Sequence, residues 1–155
     1  MKRLLAIGFG LVFLSGIGPA QNQVKGAAPE RVGLRFRAVD VFVDSDARPL
    51  AAYQLIFSTA TGDAKVVGIE GGEHPAFQLP PYYDPKAIQR ERVILAAFNT
   101  SSADKLPKGK TRVATIHLQL TGAKEPQFSA RLQAAADPGA QPIPCKIHLE
   151  QRKAQ

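Results

Sequence analysis

From Leu34 to Glu150 the apolar residues recur at every second position, in stretches too short and too often broken by turn residues for a helical period to build. Strand side chains alternate between two faces, whereas a helix needs apolar residues three and four apart, so this patterning commits the chain to sheets. Leu34 and Phe36 share one phase and Val39, Val41 and Val43 the other; the change at Ala38 predicts a bulge or two short strands. Asp44 to Pro49 turns the chain through Asx-type residues and proline. Ala51–Ser58 follows with Tyr53, Leu55 and Phe57 on one face, then Lys65–Glu70 with Val67 and Ile69 inward. Arg92–Asn99 is apolar on both faces, which predicts a strand in the middle of a sheet. Thr111–Thr121 places Ala114, Ile116, Leu118 and Leu120 on one face. Gln127–Ala136 carries Phe128, Ala130, Leu132 and Ala134 in phase, and Ile143–Glu150 closes the pattern. Short strands at this spacing predict an all-β fold, an antiparallel β-sandwich of seven to nine strands.

One long interruption stands out. After Gly71-Gly72 the chain runs through EHPAFQLPPYYDP without alternation. Loops beyond ~12–15 residues are uncommon in compact domains unless they are functional or disordered. Phe77, Tyr82 and Tyr83 argue against disorder, so this segment is expected to be an ordered surface feature. Pro80-Pro81 stiffens it. Adjacent extended residues point opposite ways, which sends at least one of the two tyrosines to water. Exposed, these aromatics would stack on sugar or anchor a protein interface; buried, they would pin the loop to the sandwich. Asp84-Pro85 is a favoured helical start, with Asp at the N-cap and Pro at the first position. Glu73, His74 and Asp84 are the acid–base candidates, although no third group is marked to orient His74. They are kept with Phe77, Tyr82 and Tyr83 as candidate binding residues.

The N-terminus reads as an export signal. Lys2 and Arg3 precede an apolar run from Leu4 to Ile17, and Gly18-Pro19-Ala20 offers small residues before Gln21. The run is shorter than the ~20 residues a spanning helix needs, and no cysteine near the cut offers a lipid acceptor. Residues 21–31 read as a flexible leader, 32–150 as the sandwich and 151–155 as a polar tail. The expected location is secreted, periplasmic or in the cell envelope, with no membrane span after cleavage. The formal charge of +7 includes Lys2 and Arg3, so the exported domain stays mildly basic. Such a balance favours acidic partners; export makes nucleic acid an unexpected one.

Cys145 is the single cysteine, so no intramolecular disulfide forms. Its phase with Ile143, Ile147 and Leu149 predicts a buried thiol rather than a nucleophile. Asp44 and Asp46 lack the ligand register of a calcium loop, and His117 and His148 lack metal-ligand spacing. No metal or cofactor is expected. Lys105, Lys108, Lys110 and Arg112 form a basic run of the kind that blunts a sheet edge. No phosphate-binding loop, dinucleotide fingerprint or nucleophile elbow occurs. The expectation is a protein that is not an enzyme.

The order of the blocks resembles a bacterial cohesin-type module. The likeness runs from about Val39 to Gly122. VDVFVDS is followed by LAAYQLIF, then VVGIEGG, then a strand ending in Ala-Ala-Phe, then a Gly-Lys-Thr turn into VATIHL. The resemblance implies a nine-stranded sandwich of jelly-roll topology, secreted or displayed at the cell surface. It also implies non-catalytic binding, through one sheet face, to a dockerin-like module of another protein. Carbohydrate-binding modules share this layout, and a polysaccharide recognised through the loop aromatics is the alternative ligand. The Glu70–Glu91 segment is longer and richer in Pro and Tyr than the cohesin pattern. No dockerin-contacting position is carried over.

Overall fold

Among the described residues seven strands account for the alternating stretches: β1 (Arg35–Asp44), β2 (Ala52–Thr59), β3 (Ala64–Gly71), β4 (Arg92–Phe98), β5 (Lys110–Leu120), β6 (Phe128–Ala136) and β7 (Lys146–Gln151). The computed structural model describes residues 33–60, 63–121 and 125–152. The expected signal segment and leader lie outside them, as does the chain after Arg152. The strands form two antiparallel sheets, ordered β3-β5-β1-β7 and β4-β2-β6. Consecutive strands always fall in opposite sheets, so every ladder pairs strands distant in sequence. The inward faces share one core, in which Val39, Val41, Leu55, Phe57, Leu95, Ile116 and Leu118 are fully buried. Each such side chain contributes about 1.5–3 kcal/mol. This is the all-β, antiparallel sandwich expected, with the lower number of strands. No helix among the described residues is long and apolar enough to cross a membrane.

Five details depart from the pattern expected of the sequence. β1 is continuous through Ala38, and its register shift lies at Val41/Phe42. The phase change is real, because Leu34 and Phe36 are exposed while Arg37 shares a face with the valines. In β3 a register shift between Val66 and Gly68 buries Val66 and Ile69 and leaves Val67 half-buried. In β6 a shift opposite Gln54/Leu55 turns Ala135 inward and leaves Ala134 exposed. β4 is not central: β2 separates it from β6. At the C-terminal end the sandwich extends beyond residue 150, since Gln151 pairs with Val39 and the Arg152 N–H donates to the Ala38 carbonyl.

The long segment after β3 is a packed arm. The Gly72 N–H donates to the Phe77 carbonyl, closing a loop around a 3-10 turn at Pro75–Phe77. Phe77 is 3 % exposed and meets the Tyr53 ring edge-on at 5.3 Å. A Cβ on Gly71 would overlap the Gln78 carbonyl, and one on Gly72 the Arg112 carbonyl. The glycine pair is therefore a requirement of close backbone approach rather than of turn geometry. Gly72→Ala is expected to lower stability by about 1–3 kcal/mol, seen as a lower denaturant midpoint with an unchanged slope.

The outer face of the four-stranded sheet is charged and internally paired. The Thr115 hydroxyl, fully buried, donates to Asp40 Oδ1 at 2.6 Å and accepts from Arg112 and Arg152. Arg152 also bonds Asp40 Oδ2 at 2.8 Å, His117 pairs with Glu70 at 3.0 Å, and Lys110 with Glu150. Burial alone would raise the Asp40 pKa, but hydrogen bonds from Arg152 and Thr115, and the charges of Arg152 and Arg112, hold it below the ordinary carboxylate value. A depressed folded-state pKa adds stability above the unfolded value of ~3.9, and that stability is lost as pH falls through the folded one. Asp40→Asn should therefore destabilise the protein at pH 7, and its difference from wild type should shrink toward pH 3. Denaturant midpoints at the two pH values measure this.

Candidate functional site

The outer face of the three-stranded sheet has the opposite character. Register places Phe98, Ala52 and Ala136 in one row across β4, β2 and β6, then Ala96, Gln54 and Ala134, then Ile94, Ile56 and Arg131, then Arg92, Ser58 and Ser129. The first two rows are thus mostly alanine, forming an alanine floor at that end of the face, and these three strands contain no carboxylate. Tyr82 extends the second row, because its N–H and carbonyl both bond Ala96, at 2.7 and 3.0 Å.

Aromatic residues stand up from this floor along the β4 edge. Tyr82 is 70 % exposed, Phe98 65 % and Leu79 83 %. The Tyr82 and Phe98 rings lie 12° from parallel with centroids 6.1 Å apart, forming a ridge. On one side of it is a hollow of about 270 Å³ bounded by Ala52, Gln54, Ala96 and Ala134. On the other is one of about 480 Å³ bounded by Pro75, Leu79, Pro80 and Asn99. Both hollows share Tyr82 and Phe98 as a wall. Burial of these exposed rings needs a partner surface, since nothing else among the described residues covers them.

The six loop residues divide by role. Tyr82 faces water, while Tyr83 is half-buried and packs against the core. Phe77 is a core residue. Glu73 Oε1 accepts from the Arg112 N–H at 3.0 Å, and the Glu73 N–H donates to the Arg112 carbonyl, so this side chain staples the arm to β5. His74 Nδ1 accepts from the Ala76 N–H at 3.1 Å and caps the first 3-10 turn. Asp84 Oδ1 accepts from the Lys86 N–H at 2.9 Å and caps a second, Pro85–Ala87. Each of the three polar candidates is thus engaged with backbone, Glu73 and His74 as neighbours at the start of the arm and Asp84 at the second turn. No group of three or more His, Cys, Asp or Glu side chains among the described residues is placed to hold a metal ion.

Cys145 is half-buried rather than buried. Burial, and then the charge of Asp44, push its pKa up, which keeps it a thiol and a poor nucleophile. In the basic run, Lys110 also sits 4.6 Å over the Phe42 ring, and Arg112 binds the Gly71 carbonyl. These two residues brace the four-stranded sheet.

Phe98, Leu79, Ile94 and the alanine floor were not among the candidate residues. The signal was present in β4, whose two apolar faces read as those of a central strand. One face is core; the other is exposed. Comparison with protein-family models, curated proteins and solved structures finds no match.

Proposed function

We propose that this chain is a secreted, non-catalytic binding module that mediates protein–protein association, as the cohesin-type resemblance implies. The observation that carries the reading is the exposed Tyr82–Phe98 ridge over an alanine floor. A flat apolar sheet face with aromatic anchors and a polar margin has the composition of a protein interface. Aromatic anchors in such a position carry most of the binding energy. The candidate acid–base groups of the arm hold backbone instead of lining a cleft together, which supports a binding role over a hydrolytic one.

A polysaccharide is the second reading, and the near-parallel ring pair favours it. Sugar recognition also needs hydrogen-bonding side chains beside the rings. Beside the rings, Gln54 is the polar side chain of the alanine-floored hollow; Arg131, Arg92, Ser58 and Ser129 lie in the rows beyond it. Asn99, at the other hollow, is occupied: its Nδ2 donates to the Ala76 carbonyl and its Oδ1 accepts from the Ser101 N–H. That scarcity ranks protein ahead of glycan.

The test is affinity capture from secreted and envelope fractions, with wild type and the Tyr82→Ala/Phe98→Ala variant, beside a polysaccharide panel. A protein held stoichiometrically by wild type and lost by the variant is the expected result. Retention on a glycan, with no protein held, would replace the reading by the second one.

A further inference from the structure

We propose that the partner seated on this face is an acidic protein segment, with an apolar anchor in the alanine-floored hollow and carboxylates that pair with Arg92 and Arg131. The inference rests on the reading of the face as a protein-binding surface and adds the chemistry of the partner. Arg92 and Arg131 are the only charged residues in the three strands β2, β4 and β6. Both are exposed. Neither makes an ion pair among the described residues. On the opposite sheet the contrast is sharp: Asp40, Glu70 and Glu150 are matched with Arg112, Arg152, His117 and Lys110.

Register puts Arg131 beside Ile56 and Arg92 beside Ser58, on strands flanking β2 and one row apart. Strand spacing and rise set their Cα atoms roughly 12 Å apart, the span of about four extended residues. The two guanidiniums therefore bracket one end of the apolar floor. A bidentate carboxylate suits Arg92, and at Arg131 it would replace the neutral Gln133 amide oxygen that faces both terminal nitrogens. A basic partner would meet repulsion with no acid on the sheet to offset it. The chain's formal charge stays positive without Lys2 and Arg3 and acts in the same sense at longer range.

The probe is a random peptide library displayed on phage, panned against the purified full chain at low salt, with polygalacturonate and the chain's own self-association measured alongside. Peptides joining an aromatic or aliphatic anchor to Asp or Glu are expected. Affinity of a recovered peptide should fall about tenfold or more in Arg92→Glu/Arg131→Glu, and should weaken as salt rises. The melting temperature of that variant should stay unchanged, because both side chains are exposed. Peptides that need Tyr82 and Phe98 but are neutral or basic, or that ignore the charge reversal, overturn the acidic partner and leave the binding face standing. Peptides indifferent to Tyr82→Ala/Phe98→Ala, or no enriched peptides at all, overturn both. Polygalacturonate bound through the two arginines in place of peptide also overturns the proposal. So does a dimer that Phe98→Glu dissociates, since a second copy would then cover the face.

Discussion

Phe77→Ala is expected to lower the melting temperature by roughly 10–20 °C, the equivalent of about 3–5 kcal/mol for emptying a buried phenylalanine site. Phe77 sits under the arm, edge-on to Tyr53. Tyr53 in turn donates its buried hydroxyl to the Val113 carbonyl at 3.1 Å. Burial pushes the Tyr53 pKa up, so the phenol keeps that proton across the ordinary pH range. Truncating Phe77 leaves a cavity among rings that cannot close it and frees the segment that carries Tyr82. Binding should weaken together with stability. Thermal melts and titration of the captured partner measure the two effects.

Tyr82→Ala with Phe98→Ala should do the reverse. Both rings stand in solvent, and surface substitutions of this kind stay within about 0.5 kcal/mol of neutral. Central aromatic anchors each cost about 2 kcal/mol or more of binding when truncated. The pair should therefore lower affinity by about a hundredfold or more with the melting temperature almost unchanged. Tyr83→Ala, packed against the core, should lower stability instead. A double variant of the adjacent tyrosines would mix the two effects; pairing Tyr82 with Phe98 separates them.

The strands were legible because period-two alternation is a local signal, and it holds through β2, β5 and most of β1. Register shifts were not. The shift in β3 depends on how Val66 and Gly68 meet β5, and the one in β6 on how Gln54 and Leu55 meet it. Neither partner is near in sequence, since every ladder here joins distant strands. The same limit hid the binding face. Arg92–Phe98 is apolar on both sides whether its second face is covered or bare, and only the sheet order decides. Alternation alone sent at least one of Tyr82 and Tyr83 to water. Which of them faced out depended on the bridge from Tyr82 to Ala96. Glu73, His74 and Asp84 had the residue types of acid–base chemistry. The capping role of Asp84 was legible in Asp84-Pro85, and its bond to Lys86 is local; the partner of Glu73, Arg112, became visible only with the arm folded onto β5.

The alanines of the floor offer the most direct reading of the face itself. With alanine methyl groups isotopically labelled, the captured partner is titrated into the chain and the methyl resonances are followed. A partner on the proposed face shifts Ala52, Ala96, Ala134 and Ala136 and leaves Ala38, on the outer side of the four-stranded sheet, in place. Shifts at Ala38 with the four floor alanines unmoved would put the partner on the charged sheet and contradict the account.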